Sequence, residues 1–186
     1  MSPGARPRTR PRPRPGSDLA ARALVAAGVT TTVIWAWLIA HTPTGRPYPG
    51  TSAAASRHLA VALTLAVGVG LVVQAATVRA ARTAPTSPRH ESLPARIQRR
   101  HHRLVGYLVW VLALPVSWRC LWALDVEGPA TLAGLHVVAA TTSVSALAAK
   151  LALVDRAGSA PLVATAGRVL AGAGLVTVVS GLALAT

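Results

Sequence analysis

Five blocks of apolar residues, separated by short polar stretches, occupy the chain from residue 19 onward. A helix rises about 1.5 Å per residue and a bilayer core is about 30 Å thick, so about 20 apolar residues are enough to cross it. Backbone that spans lipid must satisfy its hydrogen bonds internally, as an α-helix does. The pattern therefore predicts an all-α integral membrane bundle of five transmembrane helices. They lie at about 19–40, 58–78, 103–124, 130–154 and 161–185.

The first 18 residues differ from the rest, because arginine and proline alternate there and nothing apolar is available to bury. Proline lacks a backbone donor and favours extended polyproline-like chain, so we predict a disordered tail at 1–18 and one domain at 19–186. We expect spans two to five to form a four-helix core, with span one beside it. The short turn "DVEGP" predicts that spans three and four are antiparallel neighbours.

Basic residues are distributed unevenly between the two ends of the predicted bundle. Arginines crowd the tail and the segment between spans two and three, whereas the opposite connections carry few. The positive-inside rule then predicts a cytoplasmic N-terminus and an outer C-terminus. Four tryptophans fall toward the outer side and are typical of an interfacial aromatic belt. They are Trp35, Trp37, Trp118 and Trp122.

Composition narrows the classes of function. The net charge is +14, but only 13% of residues are charged and no nucleic-acid-binding motif accompanies them, so we expect a lipid bilayer as partner and no nucleic acid. The tail is either an orientation signal or an arm that binds anionic lipid or a membrane or cytoplasmic protein. No carboxylate lies inside any predicted span, so no catalytic residue is assigned and an enzyme is disfavoured.

Polar residues inside the fourth span follow a helical stripe. His136, Ser143 and Lys150 are spaced by seven residues, which places them on one face. Polar and small residues of a spanning helix face other helices rather than lipid. Two interpretations of His136 remain open. It is either a buried histidine hydrogen-bonded across helices, or a haem or metal ligand or proton-relay group.

The third span carries an arginine and the chain's single cysteine deep in its apolar run. Counting outward from the middle of each span brings Arg119 and Cys120 level with His136. They either form one outer polar site with it, or Arg119 reaches the interface while Cys120 only fills space. His102 lies about 25 Å away by helix rise and cannot share one metal with His136.

Two regions resemble a bacterial family of small multi-pass membrane proteins of unknown function. They are "IAHTPTGRPYPG" and the pair "HHRLVGYLVWVLALPVSWRCLWAL" with "LHVVAATTSVSALAAK". The His-bearing helices are also similar to the four-helix core of transmembrane b-type cytochromes. The first resemblance implies a multi-pass protein of the bacterial plasma membrane. The second implies haem b and electron transfer across the membrane.

The cytochrome likeness supplies the candidate haem-binding residues, His136, His58, His41 and His102. No metal site is expected beyond that haem iron. One departure from the family pattern weakens the haem-binding hypothesis. Arg119 stands where that pattern has a histidine, and a protonated guanidinium is no axial ligand. The alternative function is a non-enzymatic membrane subunit or scaffold with no cofactor.

Overall fold

The structure is a computed structural model that describes residues 15–41, 44–83, 93–123, 129–154 and 156–185. The described ranges are almost wholly helical and contain no strand. Each of the five helices contains a stretch long and apolar enough to cross a membrane, which confirms the prediction of an all-α, multi-pass membrane protein. The helices are α1 (Pro15–Ala40), α2 (Ala53–Thr83), α3 (Leu93–Trp118), α4 (Ala130–Leu153) and α5 (Ala160–Ala185), and a π-helical segment, Arg119–Ala123, continues α3.

Three helices begin earlier than their apolar blocks. α1 starts at Pro15, and proline at a first helical position loses nothing, because its missing N–H has no partner there. Pro15–Asp18 therefore belong to α1 and not to the tail predicted over 1–18, while residues 1–14 lie outside the described ranges. α2 and α3 likewise extend into polar sequence, which hydropathy alone does not count as part of a span.

The helices pack in an order that differs from their order in the chain. α2 packs along α3 and α5, and α4 packs along α5 and α1, so the bundle reads α3–α2–α5–α4–α1. A hydrogen bond of 2.9 Å from the Trp37 indole to the Leu121 carbonyl joins α1 to the end of α3. The prediction that spans three and four are packed neighbours is wrong. Within the described residues, α2 and α5 separate them, so a short connection did not enforce packing.

Glycines explain how α2 packs closely on both α3 and α5. A Cβ at Gly68 would lie 3.0 Å from a methyl of Val178 on α5, and one at Gly70 would overlap Val109 on α3. Both valines are buried. Small residues let helix backbones approach closely in a membrane, where the hydrophobic effect does not drive helices together.

The outward faces carry large apolar side chains, as lipid contact requires. Leu24 is 73% exposed and Ile39 is 82% exposed. Trp35, Trp37 and Trp118 are also exposed, and all three lie toward the ends of α1 and α3, at one end of the bundle. We call this the tryptophan end. The other end, where α2 and α4 finish and α3 and α5 begin, is the basic end.

Candidate functional site

A cavity of about 1670 Å³ lies between the helices and is lined by residues of all five. Its walls are mostly aliphatic, and polar side chains reach it near both ends. His136, Ser143 and Lys150 all line it, so the stripe of α4 faces the cavity rather than lipid. The cavity also separates α3 from α4, which explains why these two helices do not pack along their length.

His136 is a buried polar group near the tryptophan end, with 6% of its surface exposed. Its Nδ1 lies 3.1 Å from the Ser180 hydroxyl, and its Nε2 lies 3.7 Å from the Cys120 sulfur. A Cβ at Gly181 would lie 2.9 Å from the imidazole Cε1, so a side chain at that position would displace the ring.

The hydrogen bonds of Ser180 are the basis for assigning the imidazole proton of His136. The Ser180 hydroxyl has one proton, which is placed to donate to the carbonyl of Val176 at 2.7 Å. We therefore assign Ser180 as the acceptor of Nδ1–H of His136. Nε2 is then the unprotonated nitrogen, and the Cys120 thiol donates to it. Ser180 thus fixes the orientation of the His136 imidazole through Nδ1 and leaves Nε2 directed away from Ser180. Metal-ligating histidines are commonly oriented by such a hydrogen bond on the other ring nitrogen.

Arg119 points away from His136 and into a second hydrogen-bond network. Its guanidinium donates to the Ser56 hydroxyl at 2.6 Å, and it lies 5.8 Å from the centre of the Tyr48 ring. The Ser56 oxygen also accepts from the Tyr48 backbone N–H at 3.0 Å. The Tyr48 hydroxyl donates to the Pro115 carbonyl at 3.0 Å. Arg119 thus fastens the connection between α1 and α2 to α3.

Adjacent side chains of a helix point about 100° apart, and Arg119 and Cys120 lie in the π-helical segment that continues α3. Proline inside a helix removes a backbone donor and disturbs the ladder, and Pro115 lies four residues before Arg119. A π turn adds one residue to the ring and rotates the side chains that follow. Arg119 reaches α2, while Cys120 faces α4 across the cavity. Cys120 contacts His136 and Arg119 contacts Ser56, so the two residues belong to two networks instead of one outer site.

At the basic end, His102 is held against α2. Its carbonyl accepts from the Gln74 amide at 2.6 Å, and its Nδ1 lies 3.2 Å from the Thr77 hydroxyl. Lys150 lines the cavity from α4, and no hydrogen bond or ion pair joins its ammonium to any described residue. His102 is separated from Cys120 by 18 positions of α3, or about 27 Å of helix rise.

Two other candidate histidines, His41 and His58, do not line the cavity. His41 stacks on Trp37 with ring centroids 4.7 Å apart, and His58 is exposed. Among the described residues, no group of three or more His, Cys, Asp or Glu side chains is placed to hold a metal ion. Among the histidines that the structure describes, none supplies a second imidazole opposite His136, so these residues do not form a bis-histidine haem site.

The structure adds functional residues that sequence patterns did not single out. Ser180 and Gly181 position His136, and Tyr48 and Ser56 position Arg119. Serine and glycine within apolar helices resemble ordinary packing positions in the sequence. Only the pairing of α4 with α5 shows that these two stand against an imidazole.

In a comparison with protein families, the model of DUF6529 matches residues 19–185, a range that includes residues of all five helices. The chain belongs to DUF6529, a family of unknown function. The match covers all five helices, including both ends of the cavity. No curated protein and no solved structure matches the chain. Family membership confirms the resemblance to a family of unknown function, and the likeness to b-type cytochromes remains a hypothesis.

Proposed function

We propose that this protein binds an apolar molecule of lipid or cofactor size in the cavity between its helices. The supporting observation is the cavity itself, whose volume of about 1670 Å³ is lined by every helix. Ordinary small-molecule sites enclose about 300–1,000 Å³, so the ligand is expected to be larger than a metabolite.

The chemistry of the walls supports an amphiphilic occupant. Aliphatic side chains such as Val67, Leu71 and Leu147 form the middle of the cavity, where water would gain few hydrogen bonds. Polar groups stand toward the two ends, and a few well-placed polar groups are what orient a ligand in an apolar site.

Two valines of α4 provide a matched test. Val144 lines the cavity, whereas Val138 is 53% exposed on the outer face. We expect protein purified in mild detergent to retain about one apolar molecule per chain. Native mass spectrometry and mass spectrometry of a solvent extract should show that Val144→Phe lowers the retained amount at least about fivefold, because the added ring fills the cavity. Val138→Phe should leave the amount unchanged.

The same measurement on the two valine variants can also contradict the proposal. If wild type and Val144→Phe, both folded by circular dichroism, retain the same trace of lipid as Val138→Phe, the cavity has no resident ligand. The alternative of a non-enzymatic subunit or scaffold would then describe the protein better.

Electron transfer through haem is the second candidate, and the anchored imidazole of His136 is what favours it. A reduced-minus-oxidised absorption spectrum of the same preparations, with haem supplied during expression, tests it. A b-type spectrum lost in His136→Ala would support it and would require a second ligand other than His41 or His58 in their present positions. A colourless, folded protein would remove haem from consideration.

A further inference from the structure

We infer that the basic end of the cavity binds the phosphate of an anionic lipid whose acyl chains occupy the apolar middle. This inference rests on the proposed function and names the class of ligand. The cavity wall at the basic end is built from cationic side chains of four different helices. They are Arg79 of α2, Arg103 of α3, Lys150 of α4 and Arg168 of α5.

No described carboxylate balances this charge. Asp18, in the first turn of α1, is the only acidic residue within the described ranges, and it does not line the cavity. Lys150 is half-buried in the cavity wall, while Arg79, Arg103 and Arg168 line the cavity and are also exposed, and cations that converge on one cleft raise the local concentration of anions. An anion is therefore the ligand that this end of the cavity favours.

Lys150 gives the strongest support for an anionic ligand. It is half-buried in the wall of the cavity, it lies inside a membrane-spanning helix, and its ammonium has no hydrogen-bond or ion-pair partner among the described residues. Ionisable groups within spans are costly unless they pair or reach water. A phosphate oxygen in the cavity would provide that partner through a charge-assisted hydrogen bond.

The positive-inside rule explains basic residues in connections but does not explain this cluster. Arg156 lies in the turn after α4, is exposed and does not line the cavity, as that rule expects. Lys150 and Arg168 instead lie within spans and face the cavity. Lys150 stands three residues before the end of α4, or about 4.5 Å of helix rise, which is the depth of a lipid headgroup.

The length of the cavity favours a lipid over a free phosphate ion. About 27 Å of helix rise separates His102 from Cys120, and the intervening walls are largely aliphatic. Inorganic phosphate would occupy only the basic end, whereas the acyl chains of one leaflet, about 15 Å long, would fill the apolar part beside it.

The test compares two lipids with the same acyl chains, dioleoyl phosphatidylglycerol and dioleoyl phosphatidylcholine, titrated onto delipidated full-length protein in detergent. Native mass spectrometry measures the affinity for each. We expect phosphatidylglycerol to bind the wild type at least about tenfold more tightly, and Lys150→Gln to abolish most of that preference. Lys150→Arg should keep it, which excludes misfolding as the cause, and Arg156→Gln should keep it, because it removes one charge outside the cavity.

Each other outcome separates this inference from the function it rests on. If the two lipids bind equally and Val144→Phe weakens both, the phosphate site is wrong but the proposal of an apolar ligand in the cavity still holds. Binding of neither lipid would overturn both. Loss of phosphatidylglycerol binding in Arg156→Gln as well as Lys150→Gln would show a diffuse surface charge effect. Displacement of the lipid by millimolar inorganic phosphate alone would show a site for the free ion.

Discussion

Arg119 and Cys120 are adjacent in the sequence but belong to different contacts. The guanidinium meets Ser56 at 2.6 Å, and the thiol meets His136 at 3.7 Å. Ser56 is fully buried, so its hydroxyl is not available to solvent and serves only this network. At the scale of single residues, the unusual polar groups of the third span are therefore explained by partners on α2 and α4.

Tyr48 provides a prediction about pH. Burial raises the pKa of its phenol above the ordinary 10.0, the nearby Arg119 cation partly lowers it, and Cys120 adds a small increase. A pKa that is higher in the folded state contributes stability that is complete below about pH 10 and is lost as the pH rises through the folded pKa. We expect the tyrosinate absorbance of wild type minus Tyr48→Phe to show a midpoint above 10.0.

The same titration has a structural consequence. A tyrosinate cannot donate to the Pro115 carbonyl, so the connection between α1 and α2 loses one attachment to α3. The melting temperature of the wild type should therefore fall more steeply above pH 10 than that of Tyr48→Phe. Parallel falls in the two proteins would show that the hydrogen bond contributes little.

At the scale of elements, the position of α2 between α3 and α5 decides the shape of the cavity. Close packing of α2 on both neighbours leaves α3 and α4 facing each other across open space. Polar contacts also link neighbouring helices, including a 2.7 Å hydrogen bond between Thr31 of α1 and Ser145 of α4. Interhelical hydroxyl contacts of this kind stabilise membrane bundles modestly, by about 0.6 kcal/mol on average.

Packing of α2 on α3 is tested by Gly70→Ala. The added Cβ would overlap Val109, which is buried and β-branched and so has few alternative rotamers. We expect a loss of about 1–3 kcal/mol of stability, as for other overpacked cores. Thermal unfolding in detergent, followed by circular dichroism, measures it.

Gly28→Ala is the matched control for this change. A Cβ at Gly28 meets nothing within 4 Å, and alanine in a helix interior is more favourable than glycine by roughly 0.5–1 kcal/mol. That variant should be unchanged or more stable. An equally stable Gly70→Ala protein would show that α2 and α3 can separate without cost.

At the scale of the whole molecule, five spans predict that the two termini lie on opposite sides of a membrane. The basic end holds the start of α1, the start of α3 and the turn after α4, so the positive-inside rule predicts that it faces the cytoplasm. A phosphatase fused to the C-terminus should be active outside the cytoplasm, and one fused to the N-terminus inactive. Activity in the opposite arrangement would invert the orientation, and activity in both or neither would contradict five spans.

Much of the architecture follows from the sequence, because hydropathy and helix rise are local properties. Apolar length identified five spanning helices, and counting along two of them brought Cys120 to the depth of His136. The seven-residue stripe on α4 identified its cavity face. The start of α1 was placed late because polar residues at a helix end carry no hydropathy signal.

Only the tertiary structure decided which helices are neighbours and which polar groups meet. Chain order and a short turn favoured α3 beside α4, but close glycine contacts placed α2 between α3 and α5. Arg119 contacts α2 whereas Cys120 contacts α4, and periodicity along one helix cannot show which neighbour each of its faces meets. The sequence alone thus determined the spans, because apolar length is a local property. The cavity and the partners of its polar residues came from close contacts between helices distant in the chain.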